Sequence, residues 1–131
     1  METIESNLIR ILIDGPDTAL VSVMYANNET GVIFPIEKIS EIIKSKNKET
    51  KFFVDAVQVS GKIPIDVQTI GADLVGISGH KFHAPKGVGA LYVNSKTLIT
   101  PLIIGGHQER DRKSTRLNSS HNNQTRMPSS A

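Results

Sequence analysis

The stretch DLVGISGHKFHAPKGVG, residues 73–89, passes from an apolar strand pattern into a polar loop punctuated by glycines. Loops that follow the strands of α/β proteins commonly carry binding and catalytic residues, because the sheet holds their ends in place. This loop contains Lys81, with His80 before it and His83 after it. A lysine amine attacks carbonyl groups once its charge is suppressed. The stretch therefore predicts an α/β fold with Lys81 as a candidate nucleophile.

Two earlier apolar runs end in polar residues in the same way. Residues 18–25 and 51–54 have the composition of strands that are covered on both faces of a parallel sheet. Between them, Pro35 opens a helix with an apolar stripe suited to packing on a sheet. The stripe consists of Ile36, Ile39, Ile42 and Ile43. Strand, helix and strand in this order form a βαβ unit, so the predicted fold class is α/β, a mainly parallel sheet with covering helices.

The remaining patterns predict shorter elements. Residues 44–51 are charged and are expected to form a surface connection. Residues 66–70 fit a short helical turn that stops at Gly71. Residues 88–93 fit a strand, and residues 98–104 fit either an extended or a helical segment.

The basic character of the chain belongs to its last residues. Residues 111–131 contain four basic residues against one acidic residue, whereas the net charge of the whole chain is +2. Residues 1–110 are therefore almost neutral, and nucleic-acid binding by this part is not expected. Residues 111–131 are rich in Ser, Asn, Arg and Thr, a composition typical of disorder. Residues 111–121 also resemble a translated sequencing adapter, so we interpret 111–131 as a non-native tail and 1–110 as the folded domain.

Composition excludes several other classes of protein. The chain has no cysteine, which excludes disulfides, cysteine zinc sites and a cysteine nucleophile within it. No apolar run is long enough to span a membrane, and no leader for secretion opens the sequence. The expected compartment is the cytoplasm, with an organelle as the alternative.

Six polar residues follow the three predicted parallel strands. They are Asn28, Asp55, Gln58, Ser78, His80 and Lys81. Because the carboxyl ends of parallel strands share one edge of the sheet, we expect these residues to converge. An aldehyde cofactor with a pyridine ring needs a lysine for a Schiff base and a carboxylate that keeps the ring nitrogen protonated. The leading hypothesis is therefore that Lys81 forms a Schiff base with pyridoxal 5′-phosphate and that Asp55 is the carboxylate.

The other polar residues suit the remaining groups of this cofactor. Gln58 can donate a hydrogen bond to the phenolic oxygen, and Ser78 and His80 can bind the phosphate. Asn28 can donate to the ring oxygen or to a substrate carboxylate.

Each of these residues also has a simpler interpretation. Asp55 can be a turn residue or a helix cap, and residues 27–31 can be an ordinary turn. His80 and His83 could belong to a metal site, but no third ligand stands at a recognisable spacing. The glycines at 87 and 89 lack the spacing of nucleotide-binding loops, so they more simply serve a tight bend.

Four segments together resemble the ordered signatures of the cysteine desulfurases, in the class V aminotransferase superfamily. They are residues 23–31 (VMYANNETG), 54–62 (VDAVQVSGK), 78–92 (SGHKFHAPKGVGALY) and 105–110 (GGHQER). The resemblance extends from about residue 18 to residue 110. It implies a pyridoxal-phosphate enzyme of fold type I that takes sulfur from L-cysteine and releases alanine.

The resemblance also implies partners and residue roles. The sulfur would pass to an acceptor or iron–sulfur scaffold protein, and the parent enzyme would be a homodimer, with no nucleic acid or membrane as a partner. Lys81 would be the Schiff-base lysine and Asp55 the partner of the pyridine nitrogen. Gln58 would contact the ring oxygen.

By the same likeness, Ser78 and His80 would bind the phosphate and Asn28 would lie near the ring and the substrate. A selenocysteine lyase, another class V enzyme and a non-catalytic binding fragment remain as alternatives.

The sequence departs from the family pattern in what it lacks. The family's phosphate-binding loop and ring-stacking histidine precede the region seen here, and its substrate-binding arginine and sulfur-carrying cysteine follow it. None of these can be placed in this chain. We therefore expect a part of the large domain that does not turn over cysteine by itself.

Overall fold

The computed structural model describes residues 17–100. Its elements are β1 (Leu20–Met24), α1 (Ile36–Lys46), β2 (Lys51–Asp55), α2 (Val67–Ile70), β3 (Leu74–Ser78), a 3₁₀ turn (Gly79–Phe82) and β4 (Gly89–Val93). The predictions for residues 105–110 and for the tail at 111–131 lie outside the described residues. Between residues 17 and 100, no helix has both the length and the apolar character needed to cross a membrane.

The four strands form one sheet in the order β1-β2-β3-β4. β1, β2 and β3 are parallel, and β4 returns antiparallel to β3. The carboxyl ends of β1, β2 and β3 therefore lie at the same edge of the sheet, as the sequence predicted. The expected α/β class is confirmed, and the antiparallel β4 adds a direction that the sequence pattern did not specify.

One face of the sheet packs against α1. Phe52 and Val54 of β2 are fully buried and belong to the same core cluster as Ile39 and Ile43 of α1. The predicted isoleucine stripe is confirmed, because Ile36 and Ile42 are buried as well. The α1 helix begins directly after Pro35, whose missing N–H costs nothing at a helix start.

The opposite face of the sheet has no covering layer among residues 17–100. Side chains alternate along a strand, so residues adjacent to buried positions face the other way. On this open face, Leu20, Met24 and Leu91 are 53%, 39% and 52% exposed. Together they give the described part of the chain an uncovered apolar surface.

A half-buried carboxylate joins the helix layer to the sheet, at the ends of the strands opposite to the polar loops. Oδ2 of Asp73 accepts hydrogen bonds from Nζ of Lys44, at 2.6 Å, and from the amide of Phe52, at 2.8 Å. The hydroxyl of Thr97 donates to Oδ1 at 3.2 Å. Lys44 also donates to the carbonyl of Thr50 at 2.8 Å. A single carboxylate thus connects α1, β2 and the segment after β4.

These contacts correct one prediction. Residues 44–51 were expected to form a surface connection, but α1 continues to Lys46. Lys44 is half-buried rather than solvated, because its ammonium reaches back to Asp73 and Thr50. Charge alone did not indicate that the side chain had a buried partner.

The surroundings of Asp73 favour its charged form. Burial is the largest single influence and raises its pKa. The hydrogen bond from Lys44, that from the Phe52 amide, the Lys44 charge and the Thr97 hydroxyl all act in the other direction. Together they bring the pKa of Asp73 below its ordinary value of 3.8. Ionised Asp73 therefore stabilises the fold above pH 3.8, and this contribution is lost as the pH falls through the lower, folded-state pKa.

We expect Asp73→Asn to lower the free energy of unfolding by about 2 kcal/mol at pH 7, since it removes charge-assisted hydrogen bonds to Lys44 and Phe52. Urea unfolding measures this loss, and hydrogen exchange at the Phe52 amide reports it locally. The difference from the unmodified chain should shrink as the pH falls from 3.8 through the lower, folded-state pKa, below which Asp73 is neutral in both states. Asp17→Asn is the control, because Asp17 is exposed. A pH-independent loss would contradict the role of the charge.

Candidate functional site

Asp55 is the last residue of β2 and is held by both neighbouring strands. In the sheet register it lies beside Met24 of β1 and Gly76 of β3. Its carbonyl accepts a hydrogen bond from the Tyr25 amide at 2.8 Å. Its carboxylate accepts one from the Val57 amide at 2.9 Å, through Oδ1. On the β3 side, Gly76 has no side chain, and the ring of Phe53 lies over it: a Cβ built on Gly76 would lie 3.0 Å from Cζ of Phe53.

The chain after Asp55 forms a compact turn that carries Gln58. The amides of Val59 and Ser60 both donate to the carbonyl of Ala56, at 3.2 and 3.0 Å, and the Ser60 hydroxyl donates to the same carbonyl at 2.8 Å. Val59 and Ser60 are buried. Gln58 is half-buried, and its amide group has no hydrogen-bond partner among residues 17–100. The turn therefore fixes the backbone of Gln58 and leaves its polar end available.

Lys81 lies in the 3₁₀ turn that directly follows β3. The Gly79 amide donates to the carbonyl of Val88 at 2.8 Å, and the Ala84 amide donates to the carbonyl of Gly79 at 3.0 Å. The turn ends at His83, which has a left-handed conformation with φ 69°. The Lys81 side chain is half-buried, and its amine has no hydrogen bond or ion pair within the described ranges. A closed turn thus holds the backbone of Lys81, and its amine has no partner in the described part of the chain.

Ser78 and His80 interact directly. The Ser78 hydroxyl lies 2.8 Å from Nδ1 of His80. This contact orients the imidazole and leaves its Nε2 without a partner in the described part of the chain. The two residues that were expected to bind a phosphate are therefore neighbours, on the turn that carries Lys81.

Asn28 lies at the end of β1, the strand on the other side of β2 from β3. The turn around it is held by its neighbour, because Oδ1 of Asn27 accepts hydrogen bonds from the amides of Glu29 and Thr30, each at 2.9 Å. The Asn28 side chain is exposed and makes no hydrogen bond with residues 17–100. The side chain of Asn27 thus holds the turn, whereas that of Asn28 does not.

The predicted site residues occupy one edge of the sheet. Asp55 and Gln58 follow β2, whereas Ser78, His80 and Lys81 follow the adjacent β3. Considering contacts among residues 17–100 alone, this set offers an amine and an amide without partners, a carboxylate with one unpaired oxygen, and a hydroxyl–imidazole pair. These are the groups that an aldehyde, a protonated pyridine, a phenolic oxygen and a phosphate require, so the donor set fits pyridoxal phosphate. In residues 17–100 no three His, Cys, Asp or Glu side chains are grouped to hold a metal ion.

Sequence reasoning missed one contact of this site. A Cβ built on Gly61, at the end of the turn after β2, would lie 2.8 Å from Cβ of Phe82, next to Lys81. The only sequence signal was a glycine after an apolar turn, which does not identify a distant neighbour.

We expect Asn27→Ala and Asn28→Ala to have different effects. Asn27→Ala should accelerate hydrogen exchange at the Glu29 and Thr30 amides and destabilise the turn by about 1 kcal/mol, since their acceptor is lost. Asn28→Ala should leave both amides protected, because its side chain holds no part of the turn. Amide exchange followed by NMR makes the comparison. Equal loss of protection in the two variants would contradict this division.

The chain matches a family model and several known proteins. The aminotransferase class-V family model matches residues 2–127. Cysteine desulfurase 2 of Trichormus variabilis is 56% identical over 97 residues, which are 74% of this chain and 24% of the relative. A solved NifS-like protein has 50% identity and a TM-score of 0.74, over 80% of this chain and 28% of that one. A structure described as SspA in complex with cysteine has 38% identity and a TM-score of 0.72, over 81% and 30% of the two chains.

The chain spans about a quarter of the length of the curated relatives it matches. The family match extends into residues 111–131, which lie outside the described residues, so the interpretation of that tail as non-native stays a prediction. The α/β fold is shared with the NifS-like protein over the aligned part of that chain. With a family match over most of its length, this chain belongs to the aminotransferase class-V family.

Proposed function

We propose that this chain is the cofactor-binding part of a cysteine desulfurase, which converts L-cysteine to L-alanine and delivers the sulfur to an acceptor. The proposal rests on one observation: the ends of two adjacent strands place a lysine amine and a carboxylate at the same edge of the sheet. A lysine amine follows β3 and a carboxylate ends β2, and neither the amine nor the second carboxylate oxygen has a partner between residues 17 and 100. The relatives at 56% and 50% identity, one named a cysteine desulfurase and the other NifS-like, support the reaction class.

Two residues would hold the reactive part of pyridoxal phosphate. Lys81 would bind the aldehyde carbon through its amine and later carry protons to and from the substrate. Asp55 would accept a hydrogen bond from the ring nitrogen and keep it protonated. When bound, the cofactor supplies an electron sink for electrons released at the substrate's α-carbon. Asp55 is suited to its role because its backbone is tied to both neighbouring strands.

Four further residues would orient the cofactor. Gln58 would donate its free amide hydrogen bond to the ring oxygen. The Ser78 hydroxyl and Nε2 of His80 would bind the phosphate, with the contact at 2.8 Å between Ser78 and His80 holding the imidazole in place. Asn28 would reach the ring or the substrate carboxylate from the end of β1.

The sulfur chemistry sets the partners. In this reaction a thiolate would attack the sulfur of cysteine, so that an S–S bond forms while the C–S bond breaks, and the electron pair left on the β-carbon takes up a proton to give alanine. This chain contains no cysteine. A thiol outside these 131 residues would therefore receive the sulfur, before transfer to an iron–sulfur scaffold or another acceptor protein. The relative solved in complex with cysteine supports L-cysteine as the substrate. We further propose that the parent enzyme is a homodimer that works in the cytoplasm, with an organelle as the alternative, and without a nucleic-acid or membrane partner.

We expect stoichiometric pyridoxal phosphate to attach to Lys81 in preference to other lysines. Borohydride reduction followed by peptide mass spectrometry locates the modified residue. Asp55→Asn should weaken cofactor retention by roughly tenfold, since one pairing with a charged group, about 1.5–3 kcal/mol, is lost. Lys86→Ala is the matched control, because Lys86 is exposed on the same loop and has no assigned role.

Modification spread evenly over the surface lysines would contradict the role of Lys81. The reaction is tested on the longest open reading frame that contains this chain, after sequencing the locus through the Arg110 codon. That protein should release alanine from L-cysteine, and Lys81→Ala should lower the rate by at least about 10²-fold. Cofactor attachment without alanine release would limit the proposal to another class V reaction.

A further inference from the structure

The turn after β2 is a short, rigid arm between Asp55 and Gly61. Hydrogen bonds from the Val59 and Ser60 amides close its first part on the Ala56 carbonyl. The Lys62 amide then donates to the carbonyl of Val59 at 2.9 Å. With Val59 and Ser60 buried, the arm cannot swing as a surface loop would. Its far end therefore has a fixed position relative to Asp55.

That far end touches the turn that carries Lys81. A Cβ on Gly61 would lie 2.8 Å from Cβ of Phe82 and 3.8 Å from its Cα. Real Cβ atoms essentially never approach another atom so closely. The position of a Cβ is set by the backbone, so rotation of the Phe82 ring cannot relieve the clash. Any side chain at Gly61 must therefore shift the backbone on one side of this contact, either at Gly61 or at Phe82, next to Lys81.

We propose that Gly61 is a positioning residue. Its missing side chain sets the distance between the turn after β2, which carries Asp55 and Gln58, and the turn that carries the amine of Lys81. The contact acts through Phe82, the immediate neighbour of Lys81. Its effect on cofactor attachment rests on the proposed function, whereas its effect on the position of the turn does not.

The main alternative is that Gly61 is required only for its backbone conformation. Its φ of +76° lies in the region that favours glycine. Gly31 provides a matched comparison, because its φ is +74° and nothing lies within 4 Å of the place of its Cβ. An alanine at either position meets the same backbone strain, but only the one at residue 61 meets Phe82.

The first experiment measures hydrogen exchange in the full chain without cofactor. The readouts are the amides of His83 and Ala84, which donate to the Gly79 carbonyl and close the lysine turn. Gly61→Ala should accelerate their exchange about tenfold, the effect expected of overpacking, and Gly31→Ala should not. Exchange at the Phe52 amide shows whether the sheet itself is intact.

A double-mutant comparison keeps the test independent of overall stability. Phe82→Gly removes the Cβ that Gly61 faces, whereas Phe82→Ala retains it. Gly61→Ala should therefore add little to the exchange of Ala84 in the Phe82→Gly background and its full effect in the Phe82→Ala background. Equal effects in the two backgrounds, or equal effects of Gly61→Ala and Gly31→Ala on Ala84, would overturn the proposal.

The second experiment follows attachment of pyridoxal phosphate to Lys81, trapped by reduction. Gly61→Ala should slow it about tenfold, and the Phe82→Gly background should abolish that difference. If the unmodified chain shows no preference for Lys81, the proposed function fails while the exchange experiment still decides the role of Gly61. If attachment at Lys81 is preferred but unaffected by Gly61→Ala, the inference fails and the proposed function stands.

Discussion

The register of β2 between its two neighbours is the constraint on which the rest of the structure depends. Phe52 and Val54 must face α1 to be buried, and this fixes which residues of β2 face the other way. A shift of one residue would place Lys51 and Asp55 against the helix and expose both apolar side chains. Burial of Phe52 and Val54 therefore also fixes the position of Asp55. The alternation of side chains between the two faces of β2 therefore sets both the packing of the core and the position of Asp55 in the candidate site.

The carboxylates at the two ends of the strands differ in their contacts. Asp73 has partners on both oxygens and acts as a structural clamp between α1, β2 and the segment after β4. Within the described ranges, Asp55 has a single backbone partner on one oxygen. The lysines differ in the same way, because Lys44 contacts Asp73 and Thr50, whereas the Lys81 amine has no partner among these residues. Groups that stabilise the fold and groups that suit a ligand are thus separated to opposite ends of the strands.

Much of this arrangement could be predicted from the sequence. Apolar runs interrupted by polar loops indicated β1, β2 and β3, and the isoleucine stripe indicated α1. The edge shared by Asp55 and Lys81 followed from the parallel order of the strands. These features depend on patterns within one segment or on a general rule of parallel sheets.

Features that depend on contacts between distant segments could not be predicted in the same way. The ion pair of Lys44 and Asp73 spans 29 residues, and Lys44 has the same local pattern as any exposed helix lysine. The contact of Gly61 with Phe82 depends on the relative position of two turns. The direction of β4 depends on how the chain returns after the lysine turn, and its apolar pattern is equally compatible with either direction.

The open face of the sheet connects stability with the chemistry of the site. Met24, Asp55, Gly76 and Leu91 form one row across the four strands on that face. Met24 and Leu91 are exposed, so a covering segment or subunit would gain roughly 25 cal/mol for each Å² of apolar surface removed from water. The same layer would exclude water from the surroundings of Asp55. A carboxylate interacts more strongly with a protonated ring nitrogen where the local dielectric is lower. Covering this face therefore both stabilises the sheet and strengthens the interaction through which Asp55 would act.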